Sequence, residues 1–216
     1  MFDHYILMRF NFGLYKNNKL NHDEWMRHRM LLFDEYTMPS IQRQTVKNFK
    51  LVLSFDEETP NNIILKYDYL DNVIIIYEHL MYWMRANVDR GKWLITTRMD
   101  NDDYIERDFI ESIQNEFNEK IIVVDLKGRV YDSINGVYYE SNRVIANSMF
   151  LSLIEPGEIC MTCYDLQHTH MPAKYDSILL DKYGSIMVIH DRNIMNSVLP
   201  RHTKCIEELQ SRYVNG

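Results

Sequence analysis

Three carboxylates within four residues, Asp100, Asp102 and Asp103, stand behind a guanidinium at Arg98 and close the stretch Trp93–Asp103. Carboxylates this close repel one another and raise each other's pKa unless a cation joins them. Hard divalent ions take oxygen ligands from such clusters and often share them with substrate phosphates. The chemistry expected is metal-assisted work on a phosphate or diphosphate. A plainer reading is helix capping, because Asp103 followed by Glu106 has capping-box spacing and acids suit the positive start of a helix. Capping accounts for one carboxylate and leaves the others unexplained.

Other residues sit where chemistry is possible. Arg9 and Asn11 follow the apolar run Tyr5–Met8, Asp56 follows Lys50–Phe55, and His190 follows Ile186–Ile189. Each is either a ligand contact at a strand exit or a solvated loop residue. Glu155 precedes Pro156 after an apolar run, where burial would raise its pKa toward that of a general base; the alternative is a surface carboxylate in a turn. Cys160 and Cys163 with His168 and His170 invite a zinc reading, but the spacing is not that of the common finger, so buried inert thiols are expected. Arg27, His28 and Arg29, beside Trp25, read as a solvated helix face. No GxxxxGK[ST], GxGxxG or GxSxG occurs, which disfavours ordinary NTPases, kinases, nicotinamide dehydrogenases and serine hydrolases.

The elements that must position these residues alternate. Tyr5–Met8, Lys50–Phe55, Val73–Tyr77 and the start of Trp93–Asp103 read as strands. Between them, Asn21 with Glu24 can cap a helix carrying Trp25, Leu32, Phe33 and Tyr36, which Pro39 stops. Leu80, Trp83, Met84 and Val88 form a second stripe before Gly91, and Ile105 to Phe117 a third. Such alternation predicts an α/β chain with βαβ units and a mainly parallel twisted sheet, helices covering both faces. Right-handed crossovers then bring the strand exits to one edge, where ligands of open α/β sheets bind. A small antiparallel patch follows: strands at Ile121–Asp125 and Val130–Asp132 around a turn at Lys127-Gly128, then an Asn135-Gly136 hairpin into Val137–Tyr139. Further strands are expected near Ile159–Tyr164 and at Ile186–Ile189, with a short helix from Cys205 to Tyr213.

With 216 residues, 46% hydrophobic and 25% charged, the chain suits one well-cored domain spanning 1–216. Lys plus Arg is 24 against 31 Asp plus Glu, a net charge of −7, which argues against general nucleic-acid binding. No apolar run approaches the ~18 residues of a membrane span, and the first residues lack the pattern of a secretory signal. Three cysteines, an odd number without a disulfide framework, fit a reducing cytoplasm.

Several segments resemble the bacterial rhamnosyltransferase family, glycosyltransferases of GT-A type. They are Ile6–Asn11, Trp25–Arg29, Leu32-Phe33, Pro39-Ser40, Gln44-Thr45, Asp56 with Thr59-Pro60, Ile95–Asp103, Phe150–Glu155, His168-Thr169 and Val188–His190 with Asn193. Departures are Met8, where the family usually has threonine, Asp191 in place of glycine, and Ile186-Met187 in place of a tryptophan. The chain is also short for the family, so an acceptor-binding extension is expected to be missing.

The resemblance implies a GT-A-like single domain, with 1–103 as the nucleotide-sugar half and 104–216 as the acceptor half. It implies transfer of rhamnose or another hexose from a nucleoside-diphosphate sugar, with Mn²⁺ or Mg²⁺, to a hydroxyl of a glycan or other acceptor; a nucleic-acid acceptor is not supported by charge. Asp100 and Asp102 would hold the metal, with His190 completing its sphere and Asp103 supporting. Arg9, Asn11, Asp56, Arg98 and Asp100 would bind the nucleotide sugar. Glu155, or else Asp165 or His168, would take the acceptor proton in an inverting reaction. Two alternatives stay open: a nucleotidyltransferase or sugar-nucleotide hydrolase, and a non-catalytic glycosyltransferase-like binding module.

Overall fold

The computed structural model describes residues 1–14, 22–64, 66–68, 70–141, 146–192, 198–199 and 202–205. The cap expected at Asn21, Asn193 and the helix expected beyond Cys205 lie outside them.

The predicted strands form because each is a short apolar run that can be buried on both faces. β1 (Phe2–Arg9), β2 (Lys50–Ser54), β3 (Val73–Ile76) and β4 (Trp93–Arg98) pair in parallel in the order β3-β2-β1-β4. Alternate side chains go to opposite faces. Ile6, Met8, Leu51, Leu53 and Ile95 pack on one face against Met26 of α1 (His22–Leu32), Ile41 of α2 (Met38–Gln42) and Ile113 of α5 (Phe109–Asn115). Tyr5, Leu7, Val52 and Leu94 meet Leu80 and Met84 of α4 (Leu80–Asn87) on the other. Helices thus cover both faces, as the alternation requires.

The sheet continues beyond β4 with antiparallel pairing. β8 (Ser152–Pro156) lies against β4 and against the first part of β6 (Ile122–Asp132). β7 (Val137–Glu140) and β10 (Thr203–Lys204) extend it outward. β9 (Ser177–Ile189) runs parallel to β6 and also pairs with β5 (Tyr104–Ile105). Gly136, at φ 65°, supplies the left-handed residue that the Asn-Gly hairpin needs.

Four local expectations are corrected. Lys127-Gly128 is no turn: β6 runs through it with a register shift, and this bulge lets the strand leave β8 and take up β7. Pro39 does not end its helix but sits in the first turn of α2, where a missing N–H is tolerated. A π-helical stretch, Phe33–Thr37, joins α1 to α2. Residues 159–164 form no strand; Cys160 (φ 44°) and Thr162 (φ 69°) turn the backbone left-handed, and both thiols, Cys160 and Cys163, are buried against the α4 side of the sheet. Finally, the helix expected from Ile105 starts at Phe109, because Tyr104 and Ile105 are drawn into pairing with Ile186 and Ser185. Among the described residues no helix is long and apolar enough to cross a membrane.

Candidate active site

The parallel half brings the exits of β1, β2 and β4 to one edge, and hydrogen bonds stitch their loops together. Asn101 Nδ2 donates to Phe10 O at 3.1 Å, tying the acid loop to the loop after β1. Asn11 Oδ1 accepts from the Asp56 amide at 3.0 Å, and Asn11 Nδ2 donates to Thr59 Oγ1 at 2.9 Å. The Gly13 amide donates to Asp56 Oδ1 at 2.8 Å. Asn11 is 0% exposed, so it braces two loops from inside rather than facing a nucleoside. That corrects its expected role; Arg9, by contrast, is exposed at the end of β1. Asp56 lines a cavity of about 530 Å³ together with Phe12, Gly13, Tyr77, His79 and Tyr82 and three further acids, Glu57, Glu58 and Glu78. Aromatic walls beside a carboxylate suit a flat heterocycle that donates N–H groups.

The three acids differ in environment. Asp102 is buried and forms an ion pair with Arg29, while His190 Nε2 lies 3.1 Å from its Oδ2. Burial would push this carboxyl up, but the His190 hydrogen bond and the Arg29 charge outweigh it and hold it below the usual range. Asp103 is 1% exposed; its Oδ1 accepts from the Val188 amide at 2.8 Å and its Oδ2 has no partner among the described residues. Burial, reinforced by the charges of Asp102 and Asp100, pushes Asp103 well above the usual carboxylate range. Asp100 is the most open of the three, with Arg98 Nη2 3.9 Å from its Oδ1. Burial raises it too, opposed by Arg98 and reinforced by Asp102. Arg98 itself lies 5.1 Å from the Tyr164 ring, its Nε buried without a partner among the described residues.

The capping reading fails on this geometry. α5 begins beyond Glu106, which pairs instead with Arg129 at 3.1 Å. What remains is a cluster of three carboxylates facing Arg29 and Arg98, with two acids pushed up and, among the described residues, one buried oxygen unpartnered. Among the described residues Asp100, Asp102 and His190 do not gather as one set of metal ligands, which corrects the expected place of His190: its Nε2 faces Asp102 Oδ2 instead, so a hard divalent cation would be held by Asp100 and Asp102, its charge easing the raised groups.

The three residues expected to take a proton are placed apart from this cluster or are already engaged. β8 runs antiparallel to β4 and sets Glu155 opposite Leu94, with Ser152 opposite Thr97. Glu155 therefore lies toward the start of β4, roughly 13 Å of strand away from Arg98. Both its oxygens accept backbone N–H groups, from Met161 at 3.0 Å and Thr162 at 2.7 Å, and it is 1% exposed. Burial does raise its pKa, opposed by those two bonds. This corrects the base assignment: Glu155 holds the left-handed loop that follows it. Glu155→Gln is expected to cost about 1–3 kcal/mol, since its amide faces one donor with another. Turnover per folded molecule should be kept, a split that denaturant midpoints and rates together would check. Asp165 accepts from Lys174 Nζ at 2.5 Å and from Tyr175 at 3.3 Å. His168 Nδ1 donates to Asn147 O at 2.7 Å. Among the described residues, Cys160 and Cys163 do not converge with His168 and His170 to metal-binding distance.

Arg29 and His28 belong to the site although the sequence pointed elsewhere for them, and Asn101, inside the Trp93–Asp103 stretch, carried no role of its own there. Arg29 reaches Asp102 from α1 and also donates to Asn101 Oδ1 at 3.3 Å. The available signal was the basic run 27–29 beside Trp25, over which Arg29 lies at 5.4 Å. His28 Nε2 is 3.3 Å from His190 Nδ1. Burial and the charges of His190 and Arg192 lower the His28 pKa.

The profile of a family described as "Putative rhamnosyl transferase" matches residues 15–202. No curated protein matches the chain. Among solved structures, S. aureus TarS 1-349 is 13% identical with a TM-score of 0.52, covering 87% of this chain and 60% of that one. The chain thus spans less than two thirds of that fragment, and at this identity the likeness is one of fold, GT-A-like α/β. S. aureus TarS 1-349 in complex with UDP matches at 13% identity and a TM-score of 0.49, covering 88% of this chain and 61% of that one. HddC from Yersinia pseudotuberculosis is 15% identical, with a TM-score of 0.39 and coverage of 88% and 90%.

Proposed function

We propose that this chain, which belongs to the glycosyltransferase family whose profile it matches, moves a sugar from a nucleoside-diphosphate donor to a hydroxyl acceptor with a divalent ion at Asp100 and Asp102. One observation carries the reading: an acid cluster with one buried carboxylate oxygen unpartnered among the described residues, stitched to a cavity with aromatic walls at the exits of parallel strands. The cavity takes the nucleoside, with Asp56 accepting an N–H of the base or a ribose hydroxyl. Arg9, exposed at the exit of β1, and Arg98 meet the diphosphate from two sides. Mn²⁺ or Mg²⁺, when bound, would neutralise the leaving nucleoside diphosphate. Arg29 and His190 hold Asp102 in one orientation, and Asn101 fixes the loop that carries it. In the transfer, the acceptor oxygen bonds to the anomeric carbon, the bond from that carbon to the diphosphate oxygen breaks, and the acceptor hydroxyl gives up its proton.

Incubation with a panel of sugar nucleotides, with and without Mn²⁺, tests this. Release of a nucleoside diphosphate and a glycosylated acceptor supports transfer; release of a sugar phosphate or pyrophosphate replaces it with hydrolysis or nucleotidyl transfer. Asp56→Asn keeps an acceptor for the Gly13 amide but loses one of the charges lining the cavity, the one held in place by that amide. It is expected to raise the donor KM roughly tenfold with kcat little changed, about the value of one charged hydrogen bond. An unchanged KM would remove Asp56 from the donor site.

A further inference from the structure

Beside the acid cluster the donor atoms change in kind. His28 Nε2 lies 3.3 Å from His190 Nδ1, and Asp191 Oδ1 lies 3.8 Å from the first and 4.0 Å from the second. Among the described residues, the ligand atoms of these three side chains all stand within 4.8 Å of one another. They come from remote parts of the chain: His28 from α1, His190 and Asp191 from the exit of β9. Two nitrogens bound at about 2.0–2.1 Å to a tetrahedral ion are separated by about 3.3–3.4 Å. The two imidazoles already stand at that spacing, and the exposed Asp191 carboxylate is about half an ångström from closing the triangle.

The orientation of His190 is a second observation. The Arg192 amide can only donate, and it lies 3.2 Å from His190 Nδ1. Nδ1 therefore carries the lone pair, which the Arg192 amide holds in the metal-free chain and would have to yield to an ion, and the ring proton sits on Nε2, facing Asp102 Oδ2 at 3.1 Å. A carboxylate behind the far nitrogen is the recurrent support of a ligating histidine, fixing its tautomer and ring plane. Arg192 and Arg29 stand near His28 and oppose added positive charge there, an effect that their pairing with Glu24 at 2.7 Å and with Asp102 reduces.

We propose that His28, His190 and Asp191 form a further metal site, for a borderline divalent transition ion, with Asp102 as the carboxylate behind His190. Two imidazoles and one carboxylate select zinc, cobalt or nickel over magnesium. Three protein ligands leave a fourth position open to water or an incoming oxygen. The site shares Asp102 with the donor reading, but neither Asp100 nor a nucleotide takes part in it.

The test uses the metal-free full chain and the ions alone, Zn²⁺ by calorimetry and Co²⁺ by visible absorption. One equivalent of Co²⁺ is expected to give the intense visible bands of a four-coordinate site. His28→Ala and Asp191→Asn should each weaken Zn²⁺ binding at least ~10-fold, Asp102→Asn by roughly tenfold as the outer partner, and Asp100→Asn not at all. Asp191 is exposed, so its variant tests the site even if His28→Ala unfolds, which thermal melts without metal would reveal. Unchanged Zn²⁺ affinity in Asp191→Asn overturns the proposal, leaving a histidine–histidine hydrogen bond. Equal loss in Asp100→Asn also overturns it, by moving the ion to the three acids. Failure of the donor reading would show separately, as wild-type protein that binds no nucleoside diphosphate with Mn²⁺.

Discussion

Asp102→Asn is expected to lower kcat by at least ~10³-fold with the fold kept, the scale of several kcal/mol of charge stabilisation. Asparagine keeps the volume and one acceptor oxygen but removes the charge that sits between Arg29 and His190. The price in stability is modest, about 1–3 kcal/mol, for a partly buried guanidinium left with a weaker partner. Initial rates of nucleoside diphosphate release, beside circular dichroism of the same sample, check both halves. Full turnover in a folded Asp102→Asn protein would take the metal away from these carboxylates.

Acid is expected to displace the divalent ion before it unfolds the chain. Asp100 and Asp103 are pushed up, so their burden on the metal-free fold is absent below their unfolded values. It grows as pH rises through the window up to their folded values and is full above it. Asp102 runs the other way: its stabilising contribution is full above the unfolded value and is lost as pH falls through its lower folded value. A cation relieves the raised pair only when both are ionised, so protons compete with it from the acid side. At a hundredfold excess over Kd, Mg²⁺ should add about 2.7 kcal/mol near neutrality, and this gain should vanish toward acid pH. Mg²⁺ is the right probe because the imidazole corner disfavours it. Thermal unfolding with and without Mg²⁺ across pH reads this directly. A gain independent of pH would mean that the ion does not meet these carboxylates.

How far the sequence carried depended on whether a feature was local. β1, β2 and β4 were legible because each is an apolar run buried on both faces, β3 because its edge run is wholly β-branched, and the place of the acids at the exit of β4 followed from that. The capping box was not legible: Asp103 and Glu106 have its spacing, yet β9 recruits Tyr104 and Ile105 into a strand, and pairing overrides local preference. Lys127-Gly128 looks the same as a turn or a bulge until the partners of β6 on either side are known. Asn11 and Glu155 stand at strand ends exactly as cleft residues would; only their buried hydrogen bonds show that they brace loops. Arg29 and His28 read as a wet helix face because the site they join is itself polar. Their partners, Asp102 and His190, are far along the chain.

The most direct measurement is diffraction from crystals soaked with Mn²⁺ and a nucleoside diphosphate, recorded for anomalous signal. Manganese is expected between the Asp100 and Asp102 carboxylates, with the diphosphate against it and the base in the cavity walled by Phe12 and Tyr77. Manganese away from both carboxylates, or a nucleotide lodged outside that cavity, would contradict sugar transfer at this edge of the sheet.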